Sequence, residues 1–169
     1  MAVTLIPFAH RLGVQPITIV AMAIGGSTNA LVHLTAVARR LGIDIELEEF
    51  DEIGRKVPVL VDLKPSGDHY MEHFHWAGGN SRLMKEIRTH LDEKCKTVAG
   101  TTIKQVIDAA EIVPGQTVIR TPKNPIKATG GMAVLRGNLC PRVAQFRQTI
   151  GPLSGMCSAV ILFPLRFIS

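Results

Sequence analysis

Apolar positions along this chain fall first into helical and strand-like runs, and later into short strand and turn signals. Residues 17–24 are almost continuously apolar, partly β-branched, and end at Gly25-Gly26. So short a run fits either a strand or the end of a buried helix. Residues 29–41 then place Leu31, Leu34, Val37 and Leu41 at helical spacing on one face, with Ser27 or Thr28 as N-cap and Gly42 as C-cap. Residues 43–47 alternate apolar and acidic side chains, and residues 48–55 predict a short helical turn with Phe50 and Ile53 inward. The unbroken apolar run 57–63 predicts a buried strand, closed by the turn Lys64-Pro65-Ser66-Gly67.

Two helical pieces, 70–76 and 81–91, are predicted around Gly78-Gly79, then a short strand and turn at 97–100 and a helix at 103–110. At Val113-Pro114-Gly115 the texture changes. A strand at 117–120, a Pro/Asn/Lys loop at 121–129, Gly130-Gly131 and a strand at 132–136 follow, and a domain boundary is expected near residue 114. Residues 142–169 show no clear period and no caps, and no internal repeat is present.

Composition narrows the class. The 169 residues are 46% hydrophobic and 20% charged, enough for one ordinary domain with a real core. The net charge of +5 comes from basic residues spread along the chain, among them Arg39, Lys56, Lys64, Lys85, Lys96, Lys127 and Arg136, without a dense run, and aromatics are only 5%. A stacking platform for single-stranded nucleic acid is therefore not expected, and nucleic acid is not among the expected partners. Cys95, Cys140 and Cys157 are widely spaced, odd in number and outside any CxxC pattern, which argues against a disulfide framework and a local zinc site. No stretch reaches the ~20 apolar residues that span a bilayer, so no membrane segment is expected. Arg11, Arg39 and Arg40 precede the first acid, Asp44, a bias shared with transit peptides, although the pattern from Ile17 onward reads as part of the fold. The sequence leaves the compartment unknown; a soluble protein, cytoplasmic or mitochondrial, is the expectation.

Four ordered segments carry a family resemblance. They are Ala23-Ile24-Gly25-Gly26-Ser27-Thr28-Asn29-Ala30-Leu31-Val32-His33-Leu34; Ile53-Gly54-Arg55-Lys56-Val57-Pro58; Asp62-Leu63-Lys64-Pro65-Ser66-Gly67; and Asn124-Pro125-Ile126-Lys127 with Leu135-Arg136-Gly137-Asn138-Leu139. Tyr70-Met71-Glu72 and Ala77-Gly78-Gly79 agree with them. Together they resemble the dihydroxy-acid dehydratase family, which also holds phosphogluconate and sugar-acid dehydratases. The resemblance covers residues 17–141. The stretches 130–134 and 74–79 look closer to the sugar-acid branch.

The resemblance implies an α/β fold: the end of an α/β/α cluster-binding domain followed by the start of a β-rich C-terminal domain. Residues 1–16 form an atypical N-terminus, 17–113 the C-terminal part of the family's N-terminal α/β domain, 114–141 the start of the β-rich domain, and 142–169 an atypical tail. It implies a hydro-lyase that dehydrates 2,3-dihydroxy acids or sugar acids to 2-keto acids. It also implies an iron–sulfur cluster as Lewis acid with Mg²⁺ beside it, and a homo-oligomer. One metal polarises the leaving hydroxyl, another orients the carboxylate, and a base removes the C2 proton.

The cluster cysteines and metal-binding acids of the family lie ahead of the GGSTN motif. Only 24 residues precede Gly25 here, and none is cysteine. The family's catalytic serine lies beyond Asn138 in a glycine-rich motif, and Ser154 has neither its neighbours nor its position. No catalytic residue and no metal ligand is therefore assigned in this chain. The chain is read as a middle piece of a larger enzyme, inactive alone and poorly folded or oligomeric alone. The alternative is a non-catalytic remnant or interaction module that docks on a full-length homologue.

Gly26, Ser27, Thr28 and Asn29 are the candidate substrate-binding residues, because a tight turn at a helix start presents free N–H groups to a carboxylate. The same residues also read as a plain helix cap. His33 reads as a packed or exposed side chain. The Lys64–Gly67 turn reads equally as a ligand turn at a strand end or a structural one. His69 and His73 are spaced i, i+4, which would place two metal ligands on one helix face, or else they belong to a solvated helix. Lys127 and Arg136 flank Gly130-Gly131 and read equally as partners of a carboxylate or as surface charges. Cys140 reads as a buried thiol.

Overall fold

The computed structural model describes residues 16–135, 144–147 and 158–161, the side chains at 28, 47, 133 and 135 and of the last two segments excepted. Residues 16–24 are helical (α1), which settles the choice left open for this apolar run. Ile19, Met22 and Ala23 are buried along it while Ile17 is exposed, the one-sided burial of a helix rather than the alternation of a strand. Helix α2 is Thr28–Arg40, one residue from the expected span at each end. Ser27 caps it, Leu41 closes it by donating to the Ala38 carbonyl, and Gly42 follows at φ +73°. Its inward face differs from expectation. Leu31 and Ala38 are 2% exposed, whereas Val37 and Leu41 are 61% and 58% exposed. Ala38 lies seven residues from Leu31, almost two whole turns, so it shares Leu31's direction and the branched Val37 does not.

Helix α3, Leu47–Lys56, carries Glu48 and Glu49 in its first turn and Arg55 and Lys56 in its last, each favoured by the helix dipole. Phe50 is 1% exposed, and Ile53 packs against the core as the pattern predicted. Helices α4 (Met71–Trp76) and α5 (Gly79–Glu86) flank the left-handed Gly78, and a 3-10 turn, Arg88–His90, follows. Thr102 and Gln105 cap one another reciprocally at the start of α6, Ile103–Asp108.

The run 57–63 is extended and buried but forms no continuous ladder. Isolated bridges join Val59 to Lys127, Val61 to Ile119 and Leu63 to His69. The Leu60 amide donates to the Ala23 carbonyl at 2.9 Å, tying this segment to the end of α1, and Arg120 returns an amide to the Leu60 carbonyl at 2.8 Å. Its two edges are thus shared between a helix end and the segment 118–127, where Pro125 and the turn residues allow only single bridges. The boundary expected near residue 114 falls on an exposed turn, and Val118, Ile119 and Met132 beyond it join the same hydrophobic cluster as Phe50, Leu60, Leu83 and Ile107. Three short antiparallel strands form the described sheet in the order β1 (Met132–Leu135), β2 (Ala144–Arg147), β3 (Ser158–Ile161). Small, mainly helical and with few strands, this architecture is the coarse form of the α/β expectation. No described helix is long and apolar enough to cross a membrane.

Candidate functional site

Three of the segments singled out in the sequence, those holding Gly25–Ser27, Gly54 and Ile126-Lys127, come together around the entry of α2. The Gly25 amide closes α1 by donating to the Met22 carbonyl at 3.0 Å, and Gly25 and Gly26 then turn the chain at φ +93° and +49°. Ser27 follows in extended conformation. Its Oγ accepts the Ala30 amide at 3.1 Å, and its carbonyl accepts the Leu31 amide at 3.4 Å. The Thr28 and Asn29 amides belong to the first turn and have no partner in the helix ladder, so they point out of the helix end. No acidic residue stands in that first turn, while Arg39 and Arg40 balance the far end. The arrangement suits a carboxylate: two outward N–H groups, the positive end of a thirteen-residue dipole, and a serine O–H whose oxygen already accepts from the helix. Gly26 and Ser27 are partly exposed and Asn29 is exposed.

Around this turn lie Val59, Gly54, the Ile126-Lys127 pair and Gly130-Gly131. The Val59 Cγ1 stands 3.6 Å from where a β-carbon on Gly25 would be. Val59 exchanges backbone bonds with Ile126 and Lys127 of the Asn-Pro-Ile-Lys segment. Gly54 of α3 and Gly130-Gly131 close the other side. Lys127 is half-buried, and burial pushes its ammonium below the ordinary lysine value; among the described residues no carboxylate pairs with it. His33 is exposed on α2, away from the capping bonds.

The Lys64–Gly67 turn lies at the opposite end of the 57–63 segment. Its Lys64-Pro65 peptide is cis, and Gly67 sits so close to the Asp62 carboxylate that no side chain fits there. Asp62 Oδ1 accepts the Asp68 amide at 3.0 Å. Lys64 Nζ donates to the Tyr70 hydroxyl at 2.8 Å and lies over the ring, and this bond and charge hold the Tyr70 phenol below its ordinary value. His69 and His73 do not share a helix face. His69 precedes α4 and bridges to Leu63, with Asp62 Oδ2 at 3.8 Å and Thr117 Oγ1 at 3.4 Å from its Nε2. His73 Nδ1 accepts the Tyr70 amide at 3.1 Å and so caps α4. Tyr70 is extended, which breaks the helical register between the two imidazoles.

Among the described residues no three His, Cys, Asp or Glu side chains converge as metal ligands. Cys95 is the one described cysteine, and burial first, then Asp92, raises its thiol, the opposite of what a cluster ligand needs. The described residues therefore do not fit an iron–sulfur cluster or a Mg²⁺ site, and no step is derived through either. Arg136 and Cys140 lie outside the described residues. Sequence reasoning missed Asp51 and Met132. Asp51 Oδ1 accepts the Val134 amide at 3.3 Å, and the Met132 methyl abuts Gly26. The one local hint was Gly54 inside a helix, where glycine is disfavoured unless another backbone approaches closely.

The comparisons agree with the motifs. The family described as Dihydroxy-acid/6-phosphogluconate dehydratase N-terminal matches residues 14–106. A dihydroxy-acid dehydratase of Thermodesulfovibrio yellowstonii is 45% identical over 128 residues, 76% of this chain and 23% of that protein. The chloroplastic enzyme of that name from Arabidopsis thaliana is 42% identical over 123 residues, 71% of this chain and 20% of its own length. One from a Synechococcus species is 39% identical over 151 residues, 87% of this chain and 26% of its own. The chain thus spans about a quarter of the length of the curated relatives it matches.

Proposed function

Because this chain belongs to the dihydroxy-acid/6-phosphogluconate dehydratase family, we propose that it serves a hydro-lyase that removes water from a 2,3-dihydroxy acid to give a 2-keto acid. Within it, Gly26, Ser27, Thr28 and Asn29 seat the substrate carboxylate. The observation that carries this reading is convergence: segments far apart in sequence pack around one capped helix entry that has free amides and no acid of its own. The Thr28 and Asn29 amides donate to the carboxylate, and the Ser27 O–H donates while its oxygen keeps the Ala30 amide. Lys127, half-buried and unpaired among the described residues, supplies a balancing charge from the neighbouring segment. The relatives' names favour a dihydroxy acid over a sugar acid. In the same reading the described helices are the end of an α/β/α domain, and β1 opens a β-rich one.

Titration of the chain with a short 2,3-dihydroxy acid, followed by amide NMR, tests the seat. Shifts centred on the Thr28 and Asn29 amides are expected. Absence of shifts there at saturating acid overturns it.

A second reading is favoured by exposed apolar side chains: Val37 on α2 and Leu41 at its end, and Met71 and Trp76 on α4. In it the chain docks on a full-length homologue through those faces. Co-elution of the two after mixing supports it; separate elution at micromolar concentration overturns it.

A further inference from the structure

The Gly25–Gly26 turn has no side chain of its own with which to hold its shape. Its two residues sit at positive φ, and glycine pays the largest backbone entropy on ordering. The contacts that fix it come from elsewhere. A β-carbon on Gly131 would stand 2.7 Å from the Gly25 carbonyl oxygen and 2.8 Å from its Cα, so backbone rests directly on backbone. One residue earlier, Gly130 lies as close to the Gly54 carbonyl of α3 and donates its amide to it. One residue later, the Met132 side chain ends against Gly26, whose β-carbon would fall 2.5 Å from the methionine methyl. Two residues further, the Val134 amide is taken by Asp51 of α3, and the segment enters the sheet with Met132 opposite Arg147.

Five consecutive residues therefore reach α3, the α1–α2 turn and the sheet between them. We infer that residues 130–134 are a strap that sets the α1–α2 turn, with Gly131 and Met132 as positioning residues, so that the capped entry of α2 keeps its geometry only while β1 is docked. A displacement of β1 reaches Gly25 through Gly131 without passing through any flexible side chain. The interface is closely packed, and such contacts shift as a unit rather than deform. The inference stands on packing alone and holds whatever the turn binds.

Amide hydrogen exchange of the full chain tests it, in wild type and in Gly131→Ala, Met132→Ala and Met132→Leu. The strap predicts that Gly131→Ala and Met132→Ala speed exchange at the Gly25 and Ala30 amides by about tenfold or more, while the Ile87 and Ala109 amides in the α5–α6 half hold their wild-type rates. Met132→Leu, which refills the space at Gly26, restores slow exchange at the turn. A merely structural role gives one uniform acceleration over all four amides, and that result overturns the strap. So does unchanged exchange at Gly25 and Ala30 in a folded variant. Should Gly131→Ala fail to fold, the Met132→Ala and Met132→Leu pair decides by the same criterion. The carboxylate titration is read on wild type alone, so failure of the proposed seat and failure of the strap are separate results.

Discussion

The Ser27 hydroxyl oxygen accepts the Ala30 amide at 3.1 Å, which makes one side chain both the cap of α2 and a member of the proposed carboxylate seat. The two roles separate by substitution. Ser27→Ala removes both, and should lower stability by about 1 kcal/mol and weaken binding of a 2,3-dihydroxy acid. Ser27→Asp keeps a cap acceptor but places a negative charge where the carboxylate would sit. It should unfold near the wild-type temperature and bind no acid. Circular dichroism melts and the amide titration read the two effects. Wild-type binding by Ser27→Asp would remove the residue from the seat.

Tyr70 is the sole tyrosine of the chain, so its ionisation can be followed directly by ultraviolet absorbance. The bond from Lys64, and then its charge, lower the phenol from 10.0. A depressed acid group contributes stability that is present above its unfolded value and is lost as pH falls through the folded one. The window therefore lies on the alkaline side, and near neutrality the phenol is protonated in both states and contributes nothing. The inflection should fall below 10.0 in wild type and return to about that value in Lys64→Met. Coincident curves would mean that the contact does not persist in solution.

Local features of the fold were legible because their causes are local. Ser27 and Gly42 bracket α2 by cap chemistry that acts within a few residues. The inward face of α2 was less legible, since Ala38 carries little hydrophobic weight in a pattern yet lies in line with Leu31, and Val37 carries much but turns to solvent. The i, i+4 spacing of His69 and His73 implies a shared face only if both are helical, and the extended Tyr70 between them removes that premise. Least legible was the meeting of Gly25, Gly54, Gly130 and Gly131. Backbone-to-backbone contact leaves no side-chain pattern, so the glycines read as turns and their common neighbourhood emerges only in three dimensions.

Lys127 offers a test of opposite sign to a usual ion pair. Burial lowers its ammonium from 10.5, so between the lowered value and 10.5 the unfolded chain holds more protons than the folded one. Stability then rises with pH through that window. Lys127→Met removes the charge that burial penalises and keeps a flexible apolar stem. It should unfold at the wild-type temperature or above and lose the alkaline rise. If Lys127 balances a substrate carboxylate, the same variant should bind a dihydroxy acid several-fold more weakly. Unfolding midpoints between pH 8 and 11, with one binding titration, check both. A lowered midpoint near neutrality would show the ammonium to be paired in solution.

Asp51 holds Arg55 with one carboxylate oxygen, at 2.7 and 3.0 Å, and the Val134 amide with the other. Arg55 is largely exposed, so the ion pair contributes at most a few tenths of a kcal/mol to about 1. The Val134 amide is partly buried at the point where β1 leaves the strap, and losing its acceptor costs about 1–2 kcal/mol. Asp51→Asn keeps an oxygen for Val134 and loses only the charge, whereas Asp51→Ala loses both. Urea unfolding should therefore rank wild type close to Asp51→Asn, with Asp51→Ala clearly lower, and added salt should narrow only the first gap. Equal losses in the two variants would assign the effect to the Arg55 pair and leave the packing of Gly130 and Met132 against Gly54 to hold this segment to α3.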